Sequence, residues 1–454
     1  MNASAVKKSG TVDGHAGPFR ALSPAERWYW IIDQLSTLNV CARVRVEGEL
    51  STEALTEALR ALQARQPLLR SAITDELPGG PWFVPTNNSI PLREVSLTHS
   101  EESRWEREVD EHEFAESVDW RSGPLARAVL IRQPGQVHDM VLSVPHCIAD
   151  GTTALALLRQ WVRLAAEPRT SDPDVADGPV PVAVEDLFPA RYRDMSGVLP
   201  DKDPAADDEP DTAQDAVVGR VVPDRFVPFQ LRRTRLLHRS IDSDMLERLT
   251  MACKREGVTL HGVLAAAMAS AVARDAGAKP RAHFAVGSPV TFRDELDRPV
   301  SEDEVGCFVS AVHSVVAYQR DDLWSMARFV NKDISARKRR GEQYSVFSLL
   351  ASQGPTSVAD SEPLIRYMEE HGSFNFFVSN IGRFDFPGVL GGWRLSGAQF
   401  VGGISVVGYF ASSVSTSYGQ LNWNFTHIDE AVPRERAERL VDDCVKTVLT
   451  AAGL

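Results

Sequence analysis

Apolar residues recur along this chain at two spacings. Over residues 41–47 they alternate with polar ones, the period of a half-buried strand, and after Ser51 and Thr52 the apolar Leu55, Ala58, Leu59 and Leu62 share one face of a helix that Pro67 ends. Upstream, Leu22-Ser23-Pro24-Ala25-Glu26 is a helix start, with Ser23 as cap and Pro24 in the first turn. Residues 137–144 form an apolar run of strand length closed by Pro145; Ala154, Leu157, Leu158, Trp161, Val162 and Ala165 then follow at helical spacing. Asp150-Gly151-Thr152 supplies cap chemistry between the two. The second half repeats this grammar. Residues 231–241 predict a strand, Asp242 or Ser243 caps a helix through Arg255 that Gly257 closes, and Thr259 caps the next helix. Leu421, Trp423 and Phe425 alternate in a late strand, and Ala437, Leu440, Val441, Cys444, Val445, Val448 and Leu449 stripe a terminal helix.

This succession predicts a mixed α/β chain. At 454 residues it exceeds one ordinary core, so two halves with a cleft between them are expected. The region from Glu167 to Asp224 is rich in Pro, Asp and Gly and carries only short apolar islands, too long an irregular stretch for the inside of one compact domain. The expected division is a flexible tail at 1–19, a first subdomain at 20–178 carrying His146, an acidic, Pro-rich crossover at 179–223 and a second subdomain at 224–454.

Charge changes the picture only once it is located. Residues 201–216 hold seven carboxylates against one lysine, six of the net −13, and with Pro204 and Pro210 they read as a solvated linker. The body that remains is mildly acidic and has no basic domain interleaved with aromatics, which argues against a nucleic-acid partner. Five scattered cysteines show no CxxC pair and no metal-ligand spacing, as expected of reduced thiols in a cytoplasmic protein without a metal site. The first nineteen residues are polar, with Lys7 and Lys8 but no apolar core of a secretory signal. Residues 258–272, the most apolar run, are alanine-rich and include His261, which suits an internal helix better than a membrane span.

His146-Cys147-Ile148-Ala149-Asp150-Gly151 carries the candidate chemistry, since it sets an imidazole on a strand-to-helix loop, where a rigid scaffold presents functional groups. Taken alone, the stretch fits a catalytic base and a buried, satisfied histidine equally, with Asp150 as a plain cap. Cys147 reads as a small buried hydrophobe more readily than as a nucleophile. Two basic clusters, Arg232, Arg233, Arg235 and Arg239, and Arg337-Lys338-Arg339-Arg340, are either solvated faces or a docking surface for an acidic partner.

Several segments in order resemble the condensation-domain superfamily, which includes phthiocerol dimycocerosyl transferase-type acyltransferases and, more distantly, chloramphenicol acetyltransferase. They are Leu22-Ser23-Pro24-Ala25-Glu26, Gln66-Pro67-Leu68-Leu69-Arg70, Gly123-Pro124-Leu125-Ala126-Arg127, the His146 to Gly151 stretch with its HxxxDG pattern, Gly287-Ser288-Pro289-Val290-Thr291-Phe292-Arg293, Val305-Gly306-Cys307-Phe308-Val309, and Phe374-Asn375-Phe376-Phe377-Val378-Ser379-Asn380-Ile381-Gly382. The resemblance implies two chloramphenicol acetyltransferase-like subdomains in a V, with a tunnel between them. It implies His146 as catalytic base and Gly151 as the residue that lets backbone N–H groups approach the reacting carbonyl. Asp150 is implied as a structural residue paired with Arg293, and Ser379 and Asn380 as tunnel residues. Pro145 stands where many condensation domains carry a second histidine, which weakens peptide-bond formation and leans towards the ester-forming branch. No acid occurs among Ser288 to Arg293, against an epimerase, and Phe384-Asp385-Phe386-Pro387-Gly388 is a poor match to the plant acyltransferase pentad.

The expectation is therefore a monomeric acyltransferase moving an acyl group from a carrier-protein or coenzyme A thioester to a hydroxyl of a specialised metabolite of polyketide or nonribosomal-peptide type. No tightly bound cofactor, covalent enzyme intermediate or membrane partner is expected; acyl-phosphopantetheine or acyl-CoA would be the co-substrate. The alternatives are a stand-alone enzyme forming an amide with an amine acceptor, and a non-catalytic scaffold that binds carrier proteins. Arg337, Lys338, Arg339 and Arg340 are the candidates for carrier docking.

Overall fold

The computed structural model describes residues 19–167, 181–193 and 218–453. The acidic stretch at 201–216 and most of the N-terminal tail lie outside the described residues.

Two sheets organise the chain. The first runs in the order Val389–Leu390, Trp393–Gly402, Asn39–Glu47, Val137–Pro145, Arg127–Gln133 and Leu92–Ser96; the second runs Val309–Ala317, His283–Thr291, Phe376–Arg383, Phe410–Ser417, Gln420–Ile428 and Thr234–Ile241. Chain order alone grouped 224–454 together. In space, residues 389–402 belong to the first half's sheet, with Trp393–Gly402 antiparallel to Asn39–Glu47. A hydrophobic pattern cannot show this exchange, because Leu395 and Phe400 look the same whichever core they enter; both lie in the first half's core with Val40, Val44 and Leu142. Where the sheets meet, Asn424 Nδ2 donates to Gln399 Oε1 and to the Phe400 carbonyl at 3.0 and 2.9 Å.

The predicted starts and stops are met by identifiable caps. Ser23 and Glu26 form a reciprocal capping box at the head of the helix Pro24–Leu35. Ser51 caps Thr52–Arg65, Asp242 caps Ser243–Glu256 with Gly257 left-handed beyond it, and Thr259 caps Leu260–Asp275. The alanine-rich Leu260–Asp275 is buried on nearly every side in the second core, and among the described residues no single helix is long and apolar enough to cross a membrane. The strand expected from 231 begins at Thr234, because Phe229–Leu231 turns as a 3-10 helix.

A third apolar cluster joins the halves: Trp28, Ile32 and Leu35 of the first helix pack with Phe229, Phe292, Tyr344, Phe347 and Ile365. Phe188, from the part of the crossover that is described, fills its centre with edge-on contacts to Phe292, Tyr344 and Phe347. The two halves thus share buried surface across a cleft, and that cleft holds the candidate site.

Candidate active site

Strand Val137–Pro145 is buried almost throughout and pairs with Asn39–Glu47, Pro145 lying opposite Asn39 as its last paired residue. The chain then turns, the His146 N–H donating to the Leu38 carbonyl at 3.1 Å, and Asp150 caps the helix Gly151–Ala166 by accepting from the Thr153 N–H at 2.7 Å. His146 is thereby fixed between a strand end and a helix head.

Asp150 is braced from the second half. Its Oδ2 accepts from the Phe308 N–H at 2.9 Å, and Arg293 Nη2 lies 3.4 Å from both carboxylate oxygens. Arg293 also donates to Thr153 Oγ1 at 2.6 Å and to the Ser301 carbonyl at 2.8 Å, while Thr153 Oγ1 donates to the Gly306 carbonyl at 2.7 Å. The Arg293 guanidinium lies 4.2 Å from the centre of the Phe308 ring. Both charged partners are buried, so the pair ties the His146 loop of the first half to the second half.

His146 itself is half-buried and lines a cavity of about 440 Å³ between the halves. Tyr29 stacks on its ring, centroids 4.6 Å apart and planes within 3°. Cys307 Sγ sits 3.6 Å from Nδ1. Burial pushes the imidazole below its ordinary pKa, against opposing hydrogen bonds to the His146 and Ala149 backbone and the nearby Asp150 charge. The ring is accordingly neutral at neutral pH. Burial also drives the Cys147 and Cys307 thiols well above their ordinary values, which leaves neither poised as a nucleophile.

Gly151 lines the cavity, and a Cβ there would meet the Phe400 ring at 2.5 Å, so packing against that ring calls for glycine. Ser379 and Asn380 line the same cavity from the second sheet, Asn380 Oδ1 accepting from the Gly382 N–H at 2.8 Å.

The basic clusters are mostly occupied. Arg337 pairs with Asp333 and Glu342, Lys338 with Glu295 and Arg340 with Glu342; Arg339 is exposed. Arg235 pairs with Asp110 and Asp429, and Arg239 with Asp442. Arg232 is buried against Glu369 on the cavity wall. Two groups at the site carried no role in the sequence reading. Tyr29 sits in the run Arg27-Trp28-Tyr29-Trp30-Ile31-Ile32, which reads as core, and Cys307 is 161 positions from His146. No cluster of three or more potential metal ligands occurs among the described residues.

The comparisons with known proteins agree with this architecture. The Condensation domain family matches residues 19–169, and the family described as the Phthiocerol/phthiodiolone dimycocerosyl transferase C-terminus matches residues 232–394. The chain belongs to the condensation-domain superfamily, an acyltransferase class, and has its chloramphenicol acetyltransferase-like fold of two subdomains in a V. It is 24% identical to nonribosomal peptide synthetase kk1B of Curvularia clavata over 73% of its length, and 25% identical to cyclosporin synthetase simA of Tolypocladium inflatum over 64%. It spans only 3% and 2% of those two proteins. Among solved structures, the first condensation domain of the CDA synthetase superposes with a TM-score of 0.66 at 18% identity, covering 95% of this chain and 96% of that one. Polyketide synthase associated protein 5 from Mycobacterium tuberculosis superposes with a TM-score of 0.62 at 17% identity, covering 95% and 98%.

Proposed function

We propose that this protein transfers an acyl group from a carrier-protein or coenzyme A thioester to a hydroxyl of a specialised metabolite, with His146 as general base and no covalent enzyme intermediate. The observation that carries the reading is His146 itself: a neutral imidazole lining the cavity between the halves, its loop clamped by Asp150 and Arg293. With Nδ1 turned to Cys307, Nε2 is the nitrogen assigned to the acceptor. It takes the hydroxyl proton as the oxygen adds to the thioester carbon. The C–S bond then breaks, and the imidazolium returns the proton to the departing thiolate, so that ester and thiol leave together. The negative charge that develops on the carbonyl oxygen meets the head of the helix Gly151–Ala166, whose first N–H groups have no partner within the helix. General base catalysis supplies about 10²–10⁴-fold; the remainder comes from holding two substrates in one cavity.

An amine acceptor is the second reading, favoured by a matched relative named as a nonribosomal peptide synthetase. Acyl transfer from acyl-CoA or acyl-carrier donors to paired alcohol and amine acceptors, read by mass, decides between them. Ester from the alcohol supports the first reading, amide alone supports the second, and carrier binding without either product would leave only a scaffold. We further propose that the exposed Arg339 is the member of its cluster that meets an acidic carrier, its neighbours being paired within the chain.

A further inference from the structure

The cavity that holds His146 has a charged feature on another part of its wall. Arg232, on the second half, is buried: Nε donates to the Val227 carbonyl at 3.1 Å and Nη2 pairs with Glu369 Oε1 at 2.5 Å. The Tyr409 hydroxyl donates to the same Glu369 Oε1. Arg232, Glu369 and Tyr409 all line the cavity, and Phe229 and Tyr409 lie beneath the guanidinium at 4.7 and 5.1 Å. One carboxylate oxygen thus receives two donors. The other, Oε2, has no donor among the described residues, although the Glu369 side chain is only 15% exposed.

Oε2 keeps some exposure and no donor among the described residues occupies it, so on the cavity wall it is an acceptor open to a ligand in exchange for water. Much of the remaining wall offers rings or aliphatic groups, among them Trp28, Phe374, Phe377, Phe400 and Val407. Arg232 already neutralises Glu369, so an ammonium at Oε2 would set a second cation against one carboxylate, whereas an uncharged donor leaves the site balanced.

We propose that Glu369 Oε2 is a substrate-anchoring acceptor, which receives an uncharged hydroxyl or amide N–H on the substrate at a point away from the bond being formed. The proposal rests on the reading of this cavity as the acyl-transfer site and adds a substrate class to it: molecules with a second, neutral hydrogen-bond donor on an otherwise apolar body.

The test is binding, so that it stands apart from turnover. Three probes of one shape, 4-phenylbutan-1-ol, its methyl ether and 4-phenylbutylammonium, are titrated by ligand-observed NMR into the wild type and into Glu369→Gln, Tyr409→Phe and His146→Ala. The wild type is expected to hold the alcohol about tenfold tighter than the ether, the worth of one hydrogen bond to a charged group, and tighter than the ammonium. Glu369→Gln presents an amide N–H and is expected to narrow or invert the preference for alcohol over ether. Tyr409→Phe removes a donor to Oε1 only and is expected to keep it; should Glu369→Gln not fold, the wild-type comparison of alcohol with ether and ammonium decides. His146→Ala is expected to retain the wild-type preference. An alcohol bound no better than the ether by the wild type, an ammonium that binds best, or a preference unchanged in folded Glu369→Gln each overturns the anchor. A preference that persists in a protein with no acyl transfer would instead sink the catalytic reading and leave the anchor standing.

Discussion

The Tyr29 ring lies flat against the His146 imidazole, centroids 4.6 Å apart and planes within 3°. The contact covers one face of the ring from water, and burial is the largest influence holding the imidazole below its ordinary pKa. A base works only while unprotonated, so the rate is expected to hold as pH falls through about 6.5 and to drop at a lower pH, where His146 takes up its proton. Tyr29→Ala admits water, stabilises the imidazolium and should move this acidic limb upward, whereas Tyr29→Phe keeps the stack and should leave it in place. A pH–rate profile measures both; an unmoved limb in Tyr29→Ala would show that the stack does not set the proton affinity.

Arg293 joins the halves at Asp150 with both side chains buried. Arg293→Ala leaves a buried carboxylate without its cation and should cost about 3–5 kcal/mol of stability, read from denaturant midpoints. Arg293→Lys keeps the charge but loses the fork that also reaches Ser301 and Thr153. It is expected to retain most of the fold and lose rate.

Gly151→Ala places a methyl against Phe400 at 2.5 Å and should destabilise by about 1–3 kcal/mol through overpacking. The double variant with Phe400→Ala should recover part of that loss, a coupling that thermal unfolding of the four proteins in the cycle would reveal. Strict additivity would mean that the glycine is needed for something other than this ring.

Arg339→Glu should slow transfer from an acidic carrier-bound donor, most clearly at low salt, and leave transfer from acyl-CoA unchanged. Equal rates with both donors would remove Arg339 from carrier docking.

Cys147→Ser should leave turnover within a few-fold of wild type, and intact-protein mass should show no acyl adduct, because burial keeps this thiol protonated. An adduct on the wild type that is absent from the variant would replace direct transfer with a covalent route.

Elements were legible in the sequence where a local rule decides them. The Ser23 and Glu26 capping box, the Asp150 cap and the alternation through Leu421, Trp423 and Phe425 each need only a few neighbouring residues, and all are present. The Asp150–Arg293 pair was reached through family resemblance, since 143 positions separate the partners. What stayed hidden was long-range and local pattern could not carry it: the strand Trp393–Gly402 entering the first sheet, Cys307 beside His146, and the ion pairs that occupy most of the Arg337 to Arg340 cluster. A basic run at a helix C-terminus looks the same in sequence whether its partners are Asp333, Glu295 and Glu342 or solvent.

The most direct measurement is the single-turnover rate of acyl transfer by His146→Ala beside the wild type, with unfolding midpoints for both. The account predicts a fall of about 10²–10⁴-fold at an unchanged midpoint, with no acyl group retained on either protein. A variant that transfers at the wild-type rate would contradict it.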